Sequence, residues 1–489
     1  MEGEDKAPQP RSGAAGLMRG LVLLAFLLAA VVSPAARAAD PDRAFFVRTG
    51  GEALASRSAP GLAFAVVRHG TIAYEGGFGF ADTATNSAAT AATRFAIGSL
   101  TKQLTAAVIE LLADEGKLTL GDRLERFVPS LPNAGTITVR MLLVQNSGLH
   151  TYPDMREHPW PMQGLVQTSS VIGTLATDKP DFAPGTKWEY SNANYAALAA
   201  VAERAGGESF GELLERRVFV PAGMRRSGYG YRAQTEAAVA TGYRDGAAEQ
   251  PALSLDLFSG AGGAISTAHD FALWDERLLA GTLLPKSYLD DVWREGVPTG
   301  QRDERYGMGW LLTRLGGHRE LWHNGLAPGV GGYCLNAVFP DDALGIAIFT
   351  NGFSAEGVPE RMVREIAAAY GIGDAPTPAS AAAPTAAPND NAAADALARG
   401  FWDGLASGTI DRSKLSPDFS TALTPVLLDQ VRQGIALLGT LQSFTFVGTA
   451  AGQGVTIYRY SLVFAGGTVH EWDVAFTPDM KIAGSKLVS

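Results

Sequence analysis

Apolar residues recur at three- and four-residue spacing in the segment after Ser99: Leu104, Val108, Leu111 and Leu112. This spacing puts them on one side of a helix, so residues 103–116 are predicted to form a helix with one buried face. Gly116 ends the pattern, as expected of a residue that readily takes a positive φ. Ser99 is therefore predicted to lie at a helix N-terminus, where free N–H groups and the helix dipole favour a developing negative charge.

Strand-like patterns occur at both ends of the first 370 residues. Apolar and β-branched runs at 62–67 and 71–75, joined by a Gly-containing turn, predict a hairpin. Four more runs predict strands: 309–313, 320–323, 333–339 and 344–350. Between residues 136 and 257 the pattern is mostly helical, for example at 196–205 and 210–219. We therefore expect a mixed α/β fold of the α+β type, in which one antiparallel sheet uses both ends of this region and a helical lobe is inserted.

A change of composition divides the chain near residue 380. Residues 375–388 contain only Ala, Pro, Thr and Ser, which cannot build a core and predict an extended spacer. Beyond it, two helical patterns precede four strand-like runs: 392–406 and 423–437, then 444–448, 455–464, 469–476 and 481–488. Helices followed by consecutive strands predict a smaller, compact α+β domain.

The N-terminal segment has the pattern of a secretory signal peptide. Arg19 precedes an apolar run at 21–32, and the small-residue site Ala36-Arg37-Ala38 follows. The run is shorter than the roughly 20 residues that span a bilayer, although an uncleaved anchor is the alternative interpretation. We expect an exported, periplasmic or secreted protein with no stable membrane anchor. The predicted organisation is a signal peptide at 1–38, a first domain at 40–373, a linker at 374–390 and a second domain at 391–489.

Composition narrows the chemistry. The 489 residues are 46% hydrophobic and 18% charged, which is typical of globular domains with a large core. The net charge of −10 without a basic stripe argues against a nucleic-acid partner. The sequence has no His-Glu-x-x-His, Cys-x-x-Cys or phosphate-binding Gly-x-x-x-x-Gly-Lys, so no metal or other cofactor is predicted. The single cysteine, Cys334, is expected to be a small core residue.

Lys102 follows Ser99 by three residues, which is about one helical turn on the same face. Its amine can therefore approach the serine hydroxyl, as a base approaches a nucleophile. Further along, Tyr190-Ser191-Asn192 stands just before a predicted helix. The Tyr190 phenol could move protons and the Asn192 amide could orient a substrate carbonyl. The structural alternative is that the tyrosine packs in the core and Ser191 or Asn192 caps the helix.

A third stretch, His323-Asn324-Gly325, follows a predicted strand. In this order the three motifs resemble those of the serine β-lactamase and penicillin-binding-protein superfamily, in its class C-like branch. Four flanking stretches are similar as well: 142–149, 259–263, 306–310 and 348–351. The resemblance covers about residues 45 to 370 and implies a β-lactamase-like fold. His323 could still be a simple edge-strand residue.

The resemblance implies an acyl-enzyme mechanism. Ser99 would attack an acyl carbon of a small-molecule or peptide substrate, and either Lys102 or Tyr190 would take its proton. Asn192, His323 and Gly325 would line the substrate site. The oxyanion would be held by the backbone N–H groups of Ser99 and Leu326.

This chain departs from the β-lactamases of that family at two positions. They carry Lys where His323 stands and Thr or Ser where Asn324 stands. A lysine supplies a fixed positive charge for a carboxylate-bearing substrate, whereas histidine is largely uncharged at pH 7. The departures favour an esterase or a peptidase acting on D-amino-acid peptides, with a titration of His323 near its reference pKa of about 6.5.

Two other functions remain open from the sequence. One is a penicillin-binding or peptidoglycan-interacting protein with true β-lactamase or only weak hydrolytic activity, and the other is a non-enzymatic surface protein. The second domain, 391–489, resembles the NTF2-like, cystatin-like α+β modules and contains no visible catalytic set. The sequence does not determine the oligomeric state.

Overall fold

The structure is a computed structural model. It describes residues 40–55, 59–152, 164–244, 246–249, 254–301, 303–327, 331–353, 355, 357–373, 391–425, 428, 431–432, 435, 440–451, 454–464 and 469–488. The predicted signal peptide and the predicted linker lie outside these residues, so the domain boundaries stay predictions. Among the helices of the described part, none is long and apolar enough to cross a membrane.

In the described residues up to 373, the main sheet has nine strands, and its neighbours pair antiparallel. The strands of this region are β1 (Gly61–Arg68), β2 (Thr71–Asp82), β3 (Ser87–Ala88), β4 (Phe95–Ala96), β5 (Gly228–Tyr229), β6 (Tyr243–Arg244), β7 (Ala247–Ala248), β8 (Ala264–Ser266), β9 (Val297–Pro298), β10 (Arg305–Gly307), β11 (Trp310–Leu315), β12 (His318–Leu326), β13 (Tyr333–Phe339) and β14 (Leu344–Thr350). The order across the sheet is β3-β2-β1-β14-β13-β12-β11-β10-β9. Strands β1 and β14 are neighbours, with Ala63 opposite Phe349, so the prediction of one sheet built from both ends is confirmed.

Helices lie between and beside these strands in the described residues. They are α1 (Arg43–Ala55), α2 (Thr101–Asp114), α3 (Val139–Leu143), α4 (Thr168–Leu175), α5 (Asn192–Gly206), α6 (Phe210–Leu214), α7 (Val220–Ala222), α8 (Gly230–Glu236), α9 (Ala268–Ala280), α10 (Tyr288–Glu295) and α11 (Val358–Ala369). A π-helical turn, Glu215–Phe219, connects α6 to α7. The lobe inserted between β3 and β9 contains most of these helices, as the sequence pattern predicts.

Both faces of the central strands are buried, which explains why their sequences are continuous apolar runs rather than alternating ones. Along β1, three side chains enter the core on the side of the helical lobe: Ala63, Ala65 and Val67. The three side chains that alternate with them enter a second core on the opposite face: Leu62, Phe64 and Val66. Helices α2, α5 and α9 contribute to the first core, and α1 and α11 contribute to the second.

The C-terminal residues form a separate hydrophobic cluster, made only of residues from 394 to 482. Its elements are α12 (Ala392–Ser407), α13 (Pro417–Ala422), β15 (Leu441–Ala451), β16 (Thr456–Phe464), β17 (Val469–Phe476) and β18 (Ile482–Val488). The strands pair in sequence order as an antiparallel sheet. The predicted α+β class is confirmed here, whereas the NTF2-like assignment stays a prediction. Much of the predicted helix 423–437 lies outside the described residues.

Candidate active site

Ser99 lies in a single 3₁₀ turn, Gly98–Leu100, that leads directly into α2. Gly98 has a φ of +50°, and a Cβ on it would lie 2.4 Å from the carbonyl oxygen of Leu326. Glycine therefore allows the turn to approach the end of β12. The predicted position of Ser99 at a helix N-terminus is confirmed, with the difference that the first turn is 3₁₀ and is not part of the α-helix.

Lys102 points back at Ser99 from the first turn of α2. Its Nζ lies 3.0 Å from Ser99 Oγ, 2.9 Å from Asn192 Oδ1 and 2.7 Å from the carbonyl oxygen of Ala261. The side chain is completely buried. Burial disfavours the charged amine and lowers the pKa of Lys102 well below its usual 10.5.

These contacts suit an uncharged amine. The Ala261 carbonyl can only accept hydrogen bonds, and the Asn192 amide oxygen is oriented to accept one as well. As an ammonium, Lys102 donates to these two acceptors and to Ser99 Oγ, whereas a neutral amine can keep the first two hydrogen bonds and turn its lone pair toward Ser99 Oγ. In its neutral form, Lys102 can therefore accept a proton from Ser99.

Tyr190 approaches Ser99 from the helical lobe. Its hydroxyl donates to Ser99 Oγ at 2.8 Å, and its ring centroid is 4.8 Å from Lys102 Nζ. Burial, and the neighbouring Tyr306, raise the pKa of Tyr190 well above 10, although the bond to Ser99 lowers it in part. The group therefore remains a phenol and can donate a proton after the amine has taken one.

Within the segment from Tyr190 to Asn192, one residue caps a helix and another faces the site, so both interpretations of its sequence apply in part. Ser191 is the N-cap of α5, and its hydroxyl accepts from the N–H of Ala193 at 3.2 Å. Asn192 faces the site, where its Nδ2 donates to the Tyr152 carbonyl at 2.9 Å. The structure thus brings Ser99, Lys102, Tyr190 and Asn192 together.

Buried polar side chains hold the segment from Tyr190 to Asn192 in position. Gln145 has a φ of +64° and accepts hydrogen bonds at Oε1 from the N–H of Ser191, at 3.0 Å, and from Asn194 Nδ2, at 2.5 Å. The Ser147 hydroxyl donates to Asn194 Oδ1. Gln145 and Ser147 belong to the flanking stretch 142–149, and their hydrogen bonds to Ser191 and Asn194 hold the backbone that follows Tyr190.

His323 lies on the face of β12 that looks toward the site and is only 2% exposed. Its ring centroid is 5.9 Å from that of Tyr190. Burial is the main cause that brings the pKa of His323 down to about 3; Lys102 adds to the shift only when its amine is charged, and the bond to Asn324 opposes it. The expected titration near 6.5 is therefore wrong, because burial disfavours the second proton, which would give the ring a positive charge.

The hydrogen bonds of His323 also define its tautomer. Nδ1 is 2.6 Å from the carbonyl oxygen of Asn324, which can only accept, so Nδ1 carries the proton. Nε2 is then an acceptor and faces the Tyr306 hydroxyl at 3.4 Å. The third motif consequently presents a neutral ring whose two nitrogens both have partners within the protein.

At Gly325 and Leu326, the end of β12 lies against the turn that carries Ser99. A Cβ on Gly325 would lie 1.9 Å from the carbonyl oxygen of Ile97, so only glycine fits there. Ala327 donates to the Gly332 carbonyl at 3.4 Å, and Leu326 is opposite Tyr333 in the same ladder. Because hydrogen-bonded pairs alternate in antiparallel ladders, the N–H of Leu326 points away from β13, toward the side where Ser99 lies.

This arrangement agrees with the comparisons to known proteins. A family model described as Beta-lactamase matches residues 46–371, which is about two thirds of the chain. The chain belongs to the beta-lactamase family. Its fold, which combines helices with antiparallel sheets, is in line with this membership.

The individual relatives of this beta-lactamase family member described next are each less than 30% identical to it. The putative penicillin-binding protein PbpX of Bacillus subtilis is 28% identical over 251 residues, which cover 51% of this chain and 61% of the relative. A D-aminopeptidase of Brucella canis is 29% identical over 294 residues, which cover 55% and 52%. The chain thus spans between half and two thirds of the length of these relatives.

Solved structures show the same fold. A D-amino acid amidase from Ochrobactrum anthropi SV3 superimposes with a TM-score of 0.58 at 23% identity, covering 67% of this chain and 98% of the amidase. An octameric penicillin-binding protein homologue from Pyrococcus abyssi has a TM-score of 0.56 at 18% identity, covering 91% and 98%. At these identities the likeness concerns the fold alone.

Sequence reasoning missed the loop that supplies the second acceptor of Lys102. Gly260 has a φ of +64°, and a Cβ on it would lie 2.2 Å from the Tyr195 carbonyl oxygen. Thr105 Oγ1 donates to the Gly260 carbonyl at 2.6 Å, and the next carbonyl, that of Ala261, then reaches Lys102. The glycine-rich stretch 259–263 was the available signal, but it does not say which atom faces the site.

Proposed function

We propose that this member of the beta-lactamase family forms an acyl-enzyme on Ser99 from uncharged ester or amide substrates, as an esterase or a D-amino-acid peptidase. The observation that carries this proposal is the neutral, fully engaged His323 at the position where a cation would recognise a carboxylate. The family, the geometry at Ser99 and the polarity of the third motif each support one part of it.

Acylation begins with proton transfer from Ser99 Oγ to the lone pair of Lys102 Nζ, 3.0 Å away. As the proton leaves, Oγ forms a bond to the acyl carbon, and the N–H groups of Ser99 and Leu326 stabilise the oxyanion. Tyr190, whose hydroxyl contacts Ser99 Oγ, then passes a proton to the departing alcohol or amine, and the proton taken up by Lys102 returns the site to its starting protonation state. Water later attacks the acyl-enzyme and releases the acid and Ser99.

Burial favours one of the two candidate bases. Both lie within hydrogen-bond distance of Ser99 Oγ, but burial affects them in opposite ways. It lowers the pKa of Lys102, which frees a lone pair, and it raises the pKa of Tyr190, which keeps its proton. We therefore assign Lys102 as the base and Tyr190 as the acid for the leaving group.

Neither polar side chain of the third motif is arranged to bind a carboxylate. His323 is neutral, and the N–H at Nδ1 is used by a backbone carbonyl. The Asn324 side chain donates to Tyr333 at 2.8 Å. An uncharged acyl substrate needs no cation here, and burying a carboxylate without one would be unfavourable. The relatives include a D-aminopeptidase at 29% identity, which supports a D-amino-acid amide or peptide as substrate.

A slow penicillin-binding protein is the second candidate. Two curated relatives are a putative penicillin-binding protein, PbpX, and penicillin-binding protein 4*, both of Bacillus subtilis, at 28% and 26% identity. Such a protein would acylate at Ser99 but release the acyl group slowly. The distinction lies in the rate of deacylation and in the preference for anionic β-lactams.

The test is a panel of p-nitrophenyl esters, D-alanyl amides and peptides, and cephalosporins, with intact mass measured on the trapped protein. We expect a burst and steady turnover with esters and D-amino-acid amides, an adduct on Ser99, and no adduct in Ser99→Ala. Acylation by cephalosporins without turnover would favour the penicillin-binding candidate. Labelling that persists in Ser99→Ala would overturn the proposal.

We also propose that the protein is exported and acts in the periplasm or outside the cell. The support is the sequence pattern of residues 1–38, with its apolar run at 21–32 and the Ala-Arg-Ala site. N-terminal sequencing of the mature protein should find a start close to residue 39. A chain that retains the apolar run would contradict cleavage.

A further inference from the structure

Asn324, in the third motif, points away from the site. Side chains alternate along a strand, so Asn324 is on the face of Trp322, opposite to that of His323 and Gly325. Trp322 packs against the core that α11 covers. Although Asn324 is two residues before the proposed oxyanion donor Leu326, its partners are on the far side of the sheet.

Three side chains form a hydrogen-bonded chain on that far side. Asn324 Nδ2 donates to the Tyr333 hydroxyl at 2.8 Å, and this hydroxyl donates to Glu360 Oε1. The other oxygen of Glu360 accepts from the N–H of Gly357 at 2.9 Å and so caps α11. All donors point toward the carboxylate, an arrangement in which each bond polarises and strengthens the next.

The end of β12 needs such support. Strand β11 pairs with β12 only as far as Leu311 opposite Trp322. Beyond that point, β13 is the strand that pairs with β12 in the described residues, and the bond from Ala327 to Gly332 is long, at 3.4 Å. A strand end held on one side opens more readily than the centre of a sheet.

Tyr333 is a suitable anchor for that end. It is 3% exposed, and its backbone N–H donates to the Gly352 carbonyl at 3.1 Å. Its carbonyl accepts from Thr350 Oγ1 at 2.8 Å. The tyrosine is thus tied to the segment around the end of β14 through its backbone, and to β12 and α11 through its hydroxyl.

We propose that the Asn324–Tyr333–Glu360 chain is a positioning relay that holds the Leu326 N–H in place for the oxyanion. The relay acts through the backbone of β12, and none of its side chains touches the substrate. This inference rests on the proposed function, because it assumes that an oxyanion forms at Ser99. It gives Asn324, which replaces the usual Thr or Ser of the motif, a role of its own.

The test is Tyr333→Phe, which keeps the ring and removes both hydrogen bonds of the hydroxyl. We expect kcat for a p-nitrophenyl ester to fall about tenfold with KM unchanged, which is less than the 10² to 10³ lost when an oxyanion donor is removed outright. Affinity for phenylboronic acid, whose adduct on Ser99 places an oxygen in the same position, should fall by the same factor.

Tyr243→Phe is the matched control. This tyrosine is 4% exposed, and its hydroxyl also has two hydrogen-bond contacts, both to Thr83 and none to a motif residue. Its kcat and boronate affinity should stay within twofold of the parent protein. Asn324→Ala should reproduce the loss of Tyr333→Phe, and the double variant should be no worse than either single one, since both break the same chain.

Two results would overturn the relay. One is a Tyr333→Phe protein that matches Tyr243→Phe in kcat and in boronate affinity, and the other is a loss that appears in KM alone. If Tyr333→Phe fails to fold, the same readouts on Asn324→Ala decide. Failure of the parent protein to label at Ser99 would instead refute the proposed function and the relay with it, so the two failures are distinguishable.

Discussion

His323 should remain uncharged throughout the physiological range, although a free histidine titrates there. Its pKa is lowered from 6.5 to about 3, mainly by burial. A shift of this size corresponds to roughly 5 kcal/mol against placing a proton on the folded protein's ring. The pH dependence of activity between pH 5 and 8 should therefore contain no contribution from this residue.

The sign of the effect on stability follows from proton linkage. The unfolded chain binds a proton at His323 below about pH 6.5, whereas the folded protein does not until about pH 3. The stabilisation is complete above pH 6.5 and is lost as the pH falls. Between pH 6.5 and 5 the free energy of unfolding should fall by about 2 kcal/mol on account of this residue.

The control variant is His323→Gln, which keeps a donor and an acceptor but does not titrate. Urea unfolding of both proteins at pH 7 and pH 5 isolates the histidine, because every other titrating group is shared. Histidine-labelled NMR gives a direct measure: the signal that His323→Gln lacks should keep its chemical shift from pH 8 to pH 5. A ring that titrates near pH 6.5, together with equal pH dependence of unfolding in the two proteins, would refute the argument from burial.

Three further predictions concern other parts of the chain. Lys102→Ala should lower the acylation rate by about 10² to 10⁴ with any substrate. Tyr190→Phe should lower it that much only with amides, because p-nitrophenolate leaves without a proton. If stopped-flow measurements show that Tyr190→Phe loses equal activity with esters and amides, the assigned roles are contradicted. Burial raises the pKa of Glu110 to about 7, so the stability that its protonated form contributes is lost as the pH rises from 4.5 to 7. Glu110→Gln should therefore raise the free energy of unfolding by up to about 3 kcal/mol at pH 8 and leave it unchanged at pH 4. An equal change at both pH values would contradict this prediction. Proteolysis within residues 375–388 should leave an active N-terminal fragment, because a Pro- and Ala-rich spacer is expected to make few contacts. Loss of ester hydrolysis on cleavage would contradict the predicted domain boundary.

Local patterns were sufficient for several of the strands and for one pair of site residues. The predicted strands 333–339 and 344–350 coincide with β13 and β14, because fully buried runs bounded by turn residues have sharp ends. Ser99 and Lys102 could be paired from their spacing, because helical geometry places residues three apart side by side whatever surrounds them.

The order of the motifs along the chain also allowed contacts between distant parts of the chain to be predicted. Tyr190 Oη lies 2.8 Å from Ser99 Oγ across 91 residues of sequence, and no periodicity within the chain implies that distance. It was expected only from the resemblance to a family. The acceptor at Ala261, 159 residues from Lys102, was not expected, because a backbone carbonyl carries no residue-type signal.

The charge state of His323 and the partners of Asn324 were decided by the tertiary structure alone. A histidine in a motif has the same sequence whether water reaches it or not, and its pKa depends on how completely α2, β12 and the aromatic side chains exclude solvent. The Asn324 side chain could have faced the substrate, but strand alternation and the position of Tyr333 beside α11 turn it to the other side of the sheet. Spacing along a helix or strand is a local property of the backbone, whereas desolvation and hydrogen-bond partners depend on segments that meet only when the whole chain has folded.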